Sequence, residues 1–163
     1  MATSDYVHSL LTTQVAVSLR QCAHQPLDDV ILGKVKRVEG TCISEGYIKA
    51  GSVKIVSRSL GRTTMYNNAA QIYYTVRYSA DVCNPQVNDV VECRAEKMNK
   101  IGILAVGVHA PLKIIVARQH HASGTYDETV RIGDVFRVRV CGVRFNIHEK
   151  KIQVIAKFIS SGQ

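Results

Sequence analysis

"DVFRVRVCGVRF", Asp134 to Phe145, alternates apolar and cationic residues over most of its length. Side chains alternate faces along an extended chain, so Phe136, Val138 and Val140 share one side while Arg137, Arg139 and Cys141 share the other. The stretch predicts a half-buried strand with a row of cations outside. Gly142 marks a bulge that shifts the phase, returning Val143 and Phe145 to the core and leaving Arg144 out.

Neighbouring segments also read as strands. "VVECRAEKM" (90–98), "IGILAVGV" (101–108) and "PLKIIVAR" (111–118) precede it, and "KIQVIAKFI" (151–159) follows. Tight turns fall at Asn99–Lys100 and "NIHEK", with a longer polar loop, "QHHASGTYDETVRIG", between the third and fourth segments. Five short strands in about 75 residues predict a small closed Greek-key barrel of the OB type. Lys150, Lys151 and Lys157 join the arginine wall if the last two strands pair. Such a basic face suits the phosphates of single-stranded nucleic acid, although outward arginines also keep a sheet edge soluble. The second strand offers Ile101, Ile103 and Leu104 and no ring. Tyr126 and Phe145 are the nearby stacking candidates, so RNA binding is expected to be weak and sequence-tolerant.

The first half reads differently. "LLTTQVAVSLR" places Leu11, Thr13, Val15, Val17 and Leu19 on one face of a strand. "PLDDVILGKVKRVEG" is the one helix expected. Pro26 suits its first turn, Asp28 and Asp29 its positive end, Lys34, Lys36 and Arg37 its negative end, and Gly40 its stop. Leu27, Ile31, Val35 and Val38 share its apolar face. "CISEGYIKAGSVKIVSRSLGR" reads as strand pieces broken by Gly46 and Gly51. "LGRTTMYNNAA" reads as a loop with a turn at Asn67–Asn68, and "QIYYTVRYSADV" as a long strand burying Ile72, Tyr74, Val76, Tyr78, Ala80 and Val82. The composition changes at "CNPQVND", where Pro85 and Asn88–Asp89 form a joint. Residues 1–83 and 84–163 are therefore expected as two domains, mostly β in an α+β arrangement.

With 46% hydrophobic residues among 163, a packed core is expected and wholesale disorder is not. No apolar run has the ~20 residues of a membrane span and no basic, apolar leader opens the chain, so a soluble, non-secreted protein with no membrane partner is expected. Five widely spaced cysteines without a C-x-x-C pair argue for buried thiols in a reducing compartment and against a zinc knuckle. The histidines form no set with a nucleophile, and phosphate-loop, H-E-x-x-H and G-x-S-x-G patterns are missing. We expect no catalytic residues, no metal and no cofactor. A net charge of +8 agrees with a polyanion partner.

The order of parts resembles a known family. "VEGTC", "GYI" and "TVRYSADVCNPQVNDVV", followed by "IGDVFRVRVCGVRFNIHEKKIQVIAKFI", are colinear from about Thr12 to Ile159 with the stalk subunit of multisubunit DNA-directed RNA polymerases. Its members are the seventh subunit of eukaryotic RNA polymerase II and the archaeal counterpart of that subunit. The resemblance implies a small strand-helix-strand tip domain, a truncated RNP-like fold, followed by an OB barrel of the ribosomal S-one kind. It also implies an accessory, non-enzymatic role that assists initiation. The tip docks on the polymerase large subunits near the clamp and RNA exit, a small helical fourth-subunit-like partner binds alongside, and nascent RNA passes the barrel. On this chain Gly46, Tyr47, Ile48, Gly61, Arg62, Asn67 and Asn68 match the docking tip. Arg137, Arg139 and Arg144, with Lys97 and Lys100 on the first barrel hairpin and Lys150 and Lys151 before the last strand, match the RNA-facing side. The family's Gly-Glu before the barrel is Asn88–Asp89 here, and its proline-bearing tip has become "LGRTTMYNN". Such divergence suits a copy from a large DNA virus. An intracellular location is implied: the nucleus for a cellular eukaryotic subunit, the virion and host cell for a viral one. The competing reading is a freestanding OB-fold single-stranded RNA-binding protein of translation or RNA decay.

Overall fold

The first strand, β1 (Val7–Ser18), ends where the sequence supplies a helix start. Ser18 accepts a hydrogen bond from the Gln21 backbone N–H, and Gln21 answers through its side chain to the Ser18 N–H, a closed capping box. Leu19 therefore opens a short helix, α1 (Leu19–His24), and is exposed. The strand expected through Leu19 stops one residue earlier, because two satisfied backbone donors outweigh the alternation. This computed structural model describes residues 6–159.

Helix α2 (Leu27–Val35) follows with Pro26 as its N-cap, Asp28 and Asp29 in its first turn and Lys34 in its last. These charges complement the helix dipole at both ends. A 3-10 turn over Lys36–Val38 tightens the exit, and Gly40 takes the left-handed φ of 74°. Val30, Ile31 and Val35 are buried, so the apolar stripe lies one position broader than Leu27, Ile31, Val35 and Val38 alone.

Strands β2 (Cys42–Ile43) and β3 (Gly46–Ile48) form a short hairpin. Next come β4 (Lys54–Arg58), β5 (Arg62–Tyr66) and the long β6 (Ala69–Cys83). β6 pairs antiparallel with β4 along Val76–Ser79 and with β5 along Ala69–Tyr73, and it neighbours β1. Tyr74, Val76, Tyr78, Ala80 and Val82 are buried and the expected Ile72 is half-buried; of the alternate positions Cys83, at the strand's end, is buried and the others are not. A second expectation is overturned. The segment read as a loop, "LGRTTMYNNAA", is strand β5 and a two-residue turn. Asn67 and Asn68 both have positive φ, 48° and 60°, the backbone of a type I′ hairpin turn. That geometry is pre-twisted to join β5 to β6, and asparagine tolerates it better than most residues.

The remaining strands are β7 (Val90–Met98), β8 (Gly102–Gly107), β9 (Leu112–Ala117), β10 (Val135–Arg144) and β11 (Ile152–Phe158). They close into a barrel in the order β10-β11-β9-β8-β7, with β11 parallel to β9 and every other pair antiparallel. This arrangement is consistent with an OB-like barrel. Its interior is aliphatic: Ile103, Ile114, Val116, Val138, Ile152 and Val154 are sealed from solvent. Burying each contributes roughly 1.5–3 kcal/mol. Gly102 has no alternative here, since a Cβ would lie 2.2 Å from the Val116 carbonyl oxygen.

Two compact units result, interleaved in sequence. One holds His8–Gly40 and Ile48–Val82; the other holds the barrel and Thr41–Tyr47. The segment 41–47 is held in the barrel unit by backbone bonds, Cys42 N–H to the Glu149 carbonyl at 2.7 Å and His148 N–H to the Cys42 carbonyl at 2.8 Å.

Candidate nucleic-acid interface

The barrel turns its cations outward by simple alternation. On β10, Val138 and Val140 are buried while Arg137 is exposed and Arg139 half-buried. The bulge lies where the glycine predicted it. Val140 pairs with Ala156 and Gly142 with Ile155, so Cys141 is the extra residue and Arg144 emerges on the outside opposite Gln153. Without the bulge, Arg144 would point into the barrel.

Register gives each cation its neighbours. Arg137 stands opposite Glu92 on β7, a pair of opposite sign. Arg139 stands opposite Lys157 on β11 and Val90 on β7. Its Nε is buried and has no hydrogen-bond partner. Arg144 shares a row with Gln153, which in turn stands opposite Lys113 on β9. Strands β8, β9, β10 and β11 carry Lys113, Arg137, Arg139, Arg144 and Lys157 and no Asp or Glu at all. The barrel's strand acids, Glu92 and Glu96, are confined to β7. A wall with one sign of charge attracts polyanions, and salt screens that attraction.

The residues expected to face RNA are thus brought together only in part. Arg139 and Arg144 share the wall with Lys157 and Lys113. Lys97 and Lys100, both exposed, lie at the end of the barrel where β10 begins, because β7 runs antiparallel to β10. Lys150 and Lys151 are exposed in the turn at the opposite end, beside Arg144. In that turn Glu149 accepts bonds from the Asn146 N–H and side-chain amide, at 3.1 and 2.8 Å. Those bonds and the nearby Arg144 charge hold its carboxyl below the usual glutamate range. Lys113 escaped the sequence reading because "LKIIVA" is apolar after the lysine and shows no alternation, although burial in the folded strand does alternate from Leu112 to Val116. Its importance depends on the parallel β9–β11 contact, which joins strands far apart in the chain.

Neither stacking candidate is an open platform. Phe145 packs against the barrel core. Tyr126 lies in T-shaped contact with His121 and Phe158, at 5.3 and 5.4 Å between centroids, and the Arg118 guanidinium sits over its ring at 5.1 Å. Burial pushes the Tyr126 hydroxyl pKa up, against the lowering effect of Arg118. His121 anchors this cluster through two backbone contacts, Nδ1 to the Ala117 carbonyl at 2.8 Å and Nε2 accepting from the Phe158 N–H at 2.9 Å. Both are satisfied by the neutral ring carrying its proton on Nδ1. The cluster lines a cavity of about 820 Å³ under the 118–134 loop. Arg118, Asp127 and Glu128 line it, and Glu128 pairs with Arg118 at 2.8 Å, so the lining holds no excess of cations for a phosphate.

The residues expected to dock on a partner divide by exposure. Gly46 and Ile48 are buried and Tyr47 packs against the barrel core cluster. Gly61, Arg62, Asn67 and Asn68 are exposed on the β5–β6 hairpin. Leu60, Met65 and Tyr66 are exposed with them, at 92%, 67% and 60%. Among the described residues no group of acidic, histidine or cysteine side chains is placed to hold a metal ion, and no helix is long and apolar enough to cross a membrane. No protein-family model and no curated protein matches the chain.

Proposed function

We propose that the chain is a non-catalytic stalk subunit of a DNA-directed RNA polymerase, with a docking tip and an OB barrel of the ribosomal S-one kind. The observation that carries the reading is the colinear order of motifs together with the backbone at its weakest point. Where the family has glycine before the barrel, Asn88 adopts φ 77°, the left-handed conformation that glycine favours and asparagine best tolerates. An asparagine at this position is therefore compatible with the glycine that the stalk reading expects there. Asn88 N–H then bonds the Val140 carbonyl and Val140 N–H bonds the Asp89 carbonyl, both at 2.8 Å, stitching this joint to β10.

In this reading the exposed β5–β6 hairpin, with Leu60, Met65 and Tyr66, is what the polymerase large subunits grip. Uncovered apolar side chains of this size on a hairpin end favour burial against a partner. A small helical partner shares the stalk, and Arg139, Arg144, Lys157 and Lys113 meet nascent RNA weakly and without sequence preference. Purification of the native protein from its source, with mass identification of what accompanies it, tests the proposal. Recovery of polymerase large subunits supports it; a complex lacking them overturns it.

The acid-free wall alone favours a second reading, a freestanding single-stranded RNA binder. There, changing Arg137, Arg139 and Arg144 together to Ala abolishes function in a folded protein. In the stalk reading the same variant still assembles with polymerase.

A further inference from the structure

The wall that carries the cations also carries an aliphatic stripe. Ile115 on β9 and Ile155 on β11 are direct register partners, and both are more than two-fifths exposed, at 42% and 43%. On the far side Ile115 stands opposite the half-buried Leu104 of β8, so three aliphatic side chains form one row across three strands. The row ends at Gly142, opposite Ile155, where a Cβ would meet no atom within 4 Å. An open notch therefore continues the stripe onto β10. The flanking rows are cationic: Arg139 with Lys157 on one side, Arg144 and Lys113 on the other.

We infer that this stripe is a docking site for an amphipathic, acidic segment of a partner protein. An apolar centre with a charged rim is the anatomy of a protein interface, in which desolvation of the centre supplies affinity and the rim selects the partner by sign. Acidic side chains on the occupant complement a rim that contains no acid. Single-stranded RNA fits the rim but not the centre, because bases gain their affinity by stacking on rings, and this row has none. Arg139 and Arg144 border the stripe, so a bound segment also excludes RNA from that part of the wall. The inference does not depend on the stalk reading.

The test uses the full chain and three labelled probes in fluorescence anisotropy. They are a synthetic helical peptide with leucines on one face and glutamates elsewhere, polyglutamate of equal charge, and oligouridylate. The leucine–glutamate peptide is expected to bind about tenfold more tightly than polyglutamate, and Ile155→Ser to remove about that factor, as truncation of an interface centre does. Oligouridylate affinity is expected to change less than about twofold in the same variant. Gly142→Phe fills the notch without crowding the backbone, and it should weaken the peptide while thermal unfolding stays unchanged. Equal binding of polyglutamate overturns the inference, as does dependence of oligouridylate on Ile155 with no peptide binding.

Discussion

Arg139 and Lys157 are direct cross-strand partners on β10 and β11, two cations side by side on the outside of the barrel. Like charges placed opposite each other destabilise a sheet, by about 0.2–1 kcal/mol on the scale of such pairs. Folding alone gives no reason to keep both. Lys157→Gln is therefore expected to raise the unfolding free energy by a few tenths of a kcal/mol at low salt, with the gain fading as salt screens the repulsion. Under the proposed contact of this wall with RNA, the same variant should weaken oligouridylate and lower the slope of log affinity against log salt by about one unit. Denaturant melts and anisotropy at several salt concentrations check both halves.

The β5–β6 turn should respond to backbone chemistry more than to polarity. Asn68→Val forces a β-branched residue to φ 60° and is expected to cost about 1–2 kcal/mol. Asn68→Gly should be neutral or stabilising, since Asn-Gly is the preferred type I′ pair. In contrast, Met65→Asp should leave unfolding unchanged, because Met65 is exposed in the free chain; under the proposed stalk role the same change abolishes recovery of polymerase subunits.

Gly102→Ala should destabilise the barrel by about 1–3 kcal/mol, the range for overpacking. The added methyl meets backbone, the Val116 carbonyl at 2.2 Å and the Ala117 Cα at 3.0 Å, and backbone cannot swing aside as a side chain can. Urea unfolding measures the loss. Gly142→Ala, which meets nothing, serves as the comparison.

The turn between β10 and β11 should be acid-sensitive. The Glu149 carboxylate has its folded pKa below its unfolded value, through the Asn146 bonds first and Arg144 last. Its contribution is complete above the unfolded glutamate range near pH ~4.3 and is lost as pH falls through the lowered folded value. Glu149→Gln is expected to flatten the pH dependence of amide exchange at Asn146 below about pH 4. An unchanged profile in the variant would assign the acid response elsewhere.

Thiol reactivity should rank by position. Cys141, the bulge residue, is exposed, whereas Cys93 is buried and its thiol is pushed up to about 12 by burial and then by Glu92. Since the thiolate is the reactive form, an alkylating agent at pH 8 should label Cys141 first and leave Cys93 untouched until the barrel unfolds. Peptide mapping of the labelled chain reads the order.

Period-two alternation made β7, β10 and β11 legible, with the bulge near Gly142 and the outward arginines, because a strand buried on one face must repeat every second residue, while β8 and β9 were legible as short apolar runs between turns. The helix over 27–35 was legible from its charges and its closing glycine. Strand β5 was not. "RTTMY" is exposed along its length, so no core imposed a pattern on it, and the I′ turn that makes it a strand is written in two asparagines that equally suit a loop. The short helix from Leu19 was hidden for a related reason, its capping box being a backbone device laid over an apolar alternation.

Where apolar and polar residues alternate, the sequence by itself determined which residues of a strand are inside and which carry charge, since that choice is local to a few consecutive side chains. Tertiary structure alone decided which cations become neighbours. Arg144, Gln153 and Lys113 meet in one row, as do Leu104, Ile115 and Ile155, because β11 inserts parallel to β9 and closes the barrel. It also decided that Thr41–Tyr47 belongs with a barrel that starts forty residues later, through two backbone bonds to a turn at 148–149. Strand pairing over such separations is set by how well whole faces pack, and no local pattern encodes it.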